Sequence, residues 1–205
     1  PACRINTTRN GTFFGCADLA HRDPPPTMYD DPICFLPMSV DNSGGGQVWV
    51  PDGLWGPLAG ELLHQSYGQC NVYLVLRQEV EGHVQGGVVR LPADFASSQM
   101  RGRFHGGDLY TAGFKGWQTR AVADTAFQRM RRSDAPLHLP IGMQTFAEGI
   151  ELRFSDPLDA ETAGDPESWE IISADSDLRT GVAYALGVGD LIAGNVDRAA
   201  ETLLR

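Results

Sequence analysis

Over its first 130 positions the chain places apolar residues in short runs, each ended by a turn former. Asn71-Val72-Tyr73-Leu74-Val75-Leu76-Arg77 is the strongest of these runs and predicts a strand. Gln47 to Val50 predicts another, opened by the glycine-rich turn Asp41 to Gly46 and closed by Pro51-Asp52-Gly53. Val88, Val89 and Leu91 form a third run, broken at Pro92. The chain resumes at Met100, and Gly106-Gly107-Asp108 turns it back into Leu109-Tyr110-Thr111-Ala112, which predicts a β-hairpin. Turn signals recur at intervals of about 8–15 residues with no helical segment between them, the spacing of a propeller, sandwich or barrel. A doubly wound α/β fold is excluded on that ground. Residues 41–130 are therefore expected to be almost entirely β, with no helix longer than about two turns.

Either side of this region the pattern changes. Residues 1–40 read as irregular surface chain, with a turn at Asn10-Gly11 and an extended Pro24-Pro25-Pro26 segment that cannot pair as a central strand. Pro136 and Pro140 mark a linker, after which Gly149 to Phe154 alternates apolar and polar positions as a half-buried strand does. Ile192, Val196, Ala199, Leu203 and Leu204 recur at helical spacing behind Asp190 as N-cap, so 190–205 predicts an amphipathic helix. The expected organisation is β-blade structure over 1–135, a further β segment over 136–174 and a C-terminal amphipathic helix within 175–205.

Charge narrows the function classes. The net charge is −10, with 13 acidic and 12 basic residues in 1–147 but 13 and 4 in 148–205. An acidic end of this kind argues against a nucleic-acid binder, which presents a basic face. The exception is Arg120, Arg129, Arg131 and Arg132, either a solvated strand face or a phosphate-binding patch. No apolar run approaches the roughly 20 residues of a membrane helix. The four cysteines, at 3, 16, 34 and 70, include no CxxC and no CxxCH, so no covalent haem and no zinc-type spacing is expected. Cys3 and Cys16 flank the Asn10-Gly11 turn and are the preferred disulfide; four free buried thiols are the alternative.

The chemistry concentrates between residues 101 and 117. Arg101, Arg103, His105, Asp108, Tyr110, Lys115 and Trp117 put more polar and aromatic groups there than a buried sheet requires. Arginines suit paired hydrogen bonds to carboxylates or phosphates, and a neutral histidine accepts a proton from a hydroxyl. His64, within Leu62-Leu63-His64, is the candidate base; Arg101, Arg103 and His105 are the cofactor-binding candidates; Tyr110, Lys115 and Trp117 are the substrate-binding candidates. The alternative is that His64 is a half-buried strand residue and that the arginines pair with Asp94 and Asp108. The glycine run 44–46 opens a strand and not a helix, so phosphate-loop readings fail. Asp156, Asp159, Glu161 and Asp165 form an acidic loop, read as solvated in preference to a calcium site, and no metal is assigned.

Five phrases, DNSGGGQVWV (41–50), WGPLAGELLHQSYG (55–68), QGGVVRLP (85–92), MRGRF (100–104) and GFKGWQT (113–119), together resemble the glucose/sorbosone-dehydrogenase-like β-propellers of planctomycetes and their relatives. The resemblance runs over roughly 1–172. It implies propeller blades, a periplasmic or extracellular location, a sugar or polyol substrate, and a quinone such as pyrroloquinoline quinone or a cytochrome c module as electron acceptor. GIELRFSDPLDAETAGDPESWEI (149–171) likewise resembles the start of bacterial immunoglobulin-like modules. Where quinone-dependent relatives carry an Arg-Asn pair before the strand containing Phe104, this chain has Ser97-Ser98. At about 40–50 residues per blade, 1–135 supplies about three blades, so the chain is expected either to belong to a larger polypeptide or assembly or to fold as a smaller β architecture.

Three functions follow. The first is a dehydrogenase with His64 as base and the arginines as ligand anchors. The second is a non-catalytic glycan- or protein-binding scaffold in which Trp55, Tyr67, Tyr110 and Trp117 stack on a ligand. The third is an inactive piece of a larger enzyme. His64 and the arginines meeting in one pocket would mark the first, a flat exposed aromatic face the second, and open blade edges the third.

Overall fold

The structure, a computed structural model, describes residues 3–15 and 20–170. It is mainly β, with eleven strands in four antiparallel sheets among these residues. The central sheet is a four-stranded meander of β3 (Gly44–Trp49), β4 (Leu62–Ser66), β5 (Val72–Val80) and β6 (His83–Arg90). A three-stranded meander follows, of β7 (Arg101–His105), β8 (Asp108–Phe114) and β9 (Thr125–Met130). Two two-stranded antiparallel pairs flank them: β1 (Cys3–Ile5) with β2 (Cys34–Leu36), and the hairpin of β10 (Pro140–Phe146) with β11 (Gly149–Phe154).

The unbroken apolar run of β5 is explained by cover on both faces. Leu63, Leu74 and Val89 stand in register across β4, β5 and β6 and enter a core with Leu109, Leu139, Ile141 and Met143. Leu62 and Val75 face the other way, under Ile5 and Leu36 of the first strand pair and Ile33 just before β2. A central strand covered on both faces has no polar positions to alternate. Each fully buried aliphatic side chain contributes about 1.5–3 kcal/mol, so Val72 to Val75, all buried, anchor the molecule.

Between residues 41 and 130 the only helical element is a 3-10 turn at Gly56–Leu58, as the turn pattern predicts. The β7–β8 hairpin closes through Gly106 and Gly107, with φ of 58° and 90°. Two successive positive φ values match the right-handed strand twist and favour glycine at both places. The hairpin tip is held by Trp55, whose Nε1 donates to the Gly107 carbonyl at 2.8 Å and whose ring meets Phe104 edge-on at 4.9 Å.

One boundary differs from the sequence expectation. Gly44 to Gly46 lie inside β3, not in a turn before it, and the register slips there, from Gly44 opposite Ser66 to Gln47 opposite His64. Gly45 and Gly46 face Gln65 alone, a one-residue bulge.

Gly149 to Phe154 forms the expected strand, β11, although Pro140 opens β10 and does not merely end a linker. β10 sends Ile141 and Met143, and the residue before it, Leu139, into the same core as the central sheet. It is also tied to β5 by Gln78, whose Oε1 accepts from the Thr145 N–H at 2.9 Å. The acidic loop that follows works as a set of caps. Asp159 caps α1 (Ala160–Gly164) by accepting from the Thr162 N–H at 2.9 Å, and Asp165 accepts from the Glu167 N–H at 3.0 Å. The predicted helix 190–205 lies outside the described residues, as does Cys16 of the expected Cys3–Cys16 disulfide.

Asp156 accepts from the Ser155 hydroxyl at 2.6 Å and from the N–H groups of Leu137 at 2.9 Å and His138 at 3.1 Å. The Ser155 bond first, then the two backbone bonds, hold its pKa down from 3.8 to about 2. A carboxyl depressed in the folded state stabilises above its unfolded pKa and loses that contribution as pH falls through the folded value. The expected result is a carboxyl NMR titration midpoint for Asp156 near 2, with acid loss of stability between 3.8 and about 2 smaller in Asp156→Asn than in the parent chain. A midpoint near 3.8 would show that these bonds do not hold in solution.

Candidate functional site

The three-stranded sheet has one covered face and one open face. Phe104, Leu109 and Met130 point inward to the core. Period 2 then sends Arg101, Arg103 and His105 of β7 outward, with Asp108, Tyr110 and Ala112 of β8 and Phe127 and Arg129 of β9. Arg103, Tyr110 and Arg129 form one cross-strand row; Arg101, Ala112 and Phe127 form the next.

Rings run diagonally across these rows. His105 meets Tyr110 edge-on at 6.3 Å, and Tyr110 stacks on Phe127 at 5.7 Å with 23° between planes. Phe127 is 75% exposed, although such a ring usually lies buried. Arginines flank the strip. Arg129 pairs with Asp108 at 3.6 Å, and the Tyr110 phenol, followed by Asp108, raises its pKa. Arg101 and Arg103 each donate to a neighbouring backbone carbonyl, Met100 and Gly102, and neither has a carboxylate partner among the described residues. Asp94 and Asp108 are taken by Arg90 and Arg129 instead. Lys115 and Trp117 follow the far end of β8; both are exposed, Trp117 by 85%.

His64 is elsewhere. It lies on β4, 5% exposed, with Nε2 2.6 Å from Asp41 Oδ2. Asp41 is itself fully buried, accepting at Oδ1 from the Ser66 hydroxyl at 2.6 Å and from the Ser43 N–H at 3.0 Å. Asp41 is thus the hub, and serine and histidine both bind it and not each other, so this is not the relay of a nucleophilic triad. His64 Nδ1 is buried with no polar partner. No hydrogen bond, ion pair or ring contact joins His64 to Arg101, Arg103 or His105 among the described residues.

The residues at the expected quinone position do not fit such a group. Ser97 and Ser98 are fully buried, and the Ser98 hydroxyl is engaged by Phe114, donating to its carbonyl and accepting from its N–H at 3.1 Å. Trp55 and Tyr67 also leave the list of stacking residues. Trp55 is buried with its indole N–H spent on Gly107, and Tyr67 packs edge-on against Phe114 at 5.6 Å. Sequence reasoning missed Phe127 and named Arg129 only within the Arg120–Arg132 cluster, not on this face; their place opposite Ala112 and Tyr110 across the β8–β9 pair was hidden because β9 was not assigned.

Set against known proteins, the chain matches no family model, no curated protein and no solved structure.

Proposed function

We propose that the chain is a non-catalytic binding module of propeller-like build, and that the open face of β7–β9 binds an acidic glycan. The observation that carries the reading is the His105–Tyr110–Phe127 ring strip with Arg101 and Arg103 beside it on β7, two guanidiniums without carboxylate partners. Exposed aromatic rings take the apolar faces of sugar residues, and a planar guanidinium takes a uronate carboxylate through paired hydrogen bonds. The blade reading is supported by the two successive antiparallel meanders and by the packing of β3 against β7, their first strands. The dehydrogenase reading has weaker support, since its base is buried against Asp41 and separate from the arginines. An extracytoplasmic location belongs to the same proposal and rests on the sequence resemblance.

Affinity electrophoresis through polygalacturonate and through a neutral glucan is the test. The expected result is retardation by the acidic polymer alone, weakening as salt is raised. Arg103→Ala combined with Tyr110→Ala should reduce affinity at least about tenfold, some 1.4 kcal/mol. Equal retention on both polymers, or no effect of the double substitution, would overturn the proposal. Dye-linked oxidation of sugars by the parent chain would restore the dehydrogenase reading.

A further inference from the structure

A second surface, on the other side of the central sheet, is built differently. Residues 34–40 and the loop 69–71 border a pocket of about 240 Å³ over β5 and β6. Its apolar wall includes Leu36, Val40 and Val88, and its polar side Tyr73, Arg90 and Arg120. The chain carries a net charge of −10, yet no aspartate or glutamate lines this pocket.

Tyr73 and Arg90 are register partners on β5 and β6, which fixes the guanidinium stem beside the phenol. The Tyr73 hydroxyl is spent, donating to the Val40 carbonyl at 2.5 Å. Burial raises its pKa most and the buried Asp41 carboxylate adds to it, while the Asn71 amide and then the fields of Arg90 and Arg120 pull the other way. Both arginines line the pocket. Arg90 shares an exposed ion pair with Asp94 at 3.3 Å, and a fully solvated carboxylate of that kind is readily exchanged. Arg120 has neither a carboxylate partner nor a side-chain hydrogen bond among the described residues; its backbone N–H is anchored on the Gly68 carbonyl at 2.8 Å. Cys34, in the same wall, has its thiol pushed up to about 12 by burial, so it is an apolar surface and not a nucleophile.

The geometry points to a binding site for a small organic anion, with a carboxylate or phosphate head between Arg120 and Arg90 and a short apolar stem against Leu36, Val40 and Val88. The volume lies below the roughly 300–1,000 Å³ of pockets that take drug-sized molecules, which limits the ligand to a few heavy atoms. Two guanidiniums around one cavity suit either head group, because both accept paired N–H bonds.

The test is an amide NMR titration of the chain with inorganic phosphate, acetate and butyrate, following the Asn71 side-chain amide and the Gly86 and Gly87 backbone amides. The expected result is saturable shifts at these signals. Binding by phosphate alone assigns a phosphate head, and binding by the carboxylates assigns a carboxylate, with butyrate about tenfold tighter than acetate because two more methylenes are buried. Arg120→Gln should weaken binding about tenfold. The side chain is exposed and unbonded, so the variant should keep a native amide spectrum. Arg103→Ala, on the glycan face, should leave this binding unchanged, so the two proposals fail separately. No saturable shift from any probe, carboxylate binding with equal affinity for acetate and butyrate, or undiminished affinity in Arg90→Gln/Arg120→Gln would overturn the site.

Discussion

Asp41→Ala is expected to cost about 3–5 kcal/mol of folding free energy, the range for removing one partner of a buried polar pair. The carboxylate is fully buried and receives three hydrogen bonds, from His64, Ser66 and the Ser43 backbone. Alanine leaves the His64 Nε2 and the Ser66 hydroxyl without their acceptor, in a place water does not reach. The bonds also close the 41–43 turn onto β4, so the start of β3 loosens with them. Urea unfolding should show a lower midpoint at unchanged slope, since the surface exposed on unfolding stays the same. Asp41→Asn should fall between the two, because Oδ1 still accepts from Ser66 and Ser43 while a donor now faces His64 Nε2. A loss below about 1 kcal/mol for Asp41→Ala would mean that the pair only offsets its own desolvation.

That hub was invisible in the sequence, and the reason is distance along the chain. Asp41 lies 23 positions before His64, and nothing in the composition of a loop says which strand face it will cover. What could be read was local. The β7–β8 hairpin announced itself through Gly106-Gly107, and β11 through its alternation, because turn chemistry and period 2 act over a few residues. The β1–β2 pair escaped notice because Ile5 meets Cys34 across a long irregular stretch. For the candidate site, alternation on β7 already placed Arg101, Arg103 and His105 on one side. Whether that side was open or covered depended on which sheet packed against Phe104 and Leu109. The expected pairing of these arginines with Asp94 and Asp108 gave way to nearer competitors, Arg90 four residues from Asp94 and Arg129 diagonally across the β8–β9 pair.

The contact between the two meanders yields the other large effect: Gly45→Ala should destabilise the chain by about 3 kcal/mol, the upper end of what overpacking costs. A Cβ at residue 45 would lie 2.1 Å from the Gln99 carbonyl oxygen and 2.9 Å from the Gln65 carbonyl oxygen. Both obstacles are backbone, so no rotamer change relieves them. The Gln99 N–H donates to the Ser66 carbonyl at 3.1 Å, and moving Gln99 away would give up that bond as well. The bulge at 44–47 exists in this setting: an extra residue without a side chain lets β3 bend under the entry to β7. Gly53→Ala is the control, a position with open space around the added methyl and a positive φ of 76°. It carries backbone strain alone and should cost about 1 kcal/mol. Urea midpoints of the two variants therefore separate a close approach of the meanders from general glycine effects. If Gly45→Ala cost no more than Gly53→Ala, β3 and β7 would not be in contact in solution, and the blade arrangement proposed for them would fall with that contact.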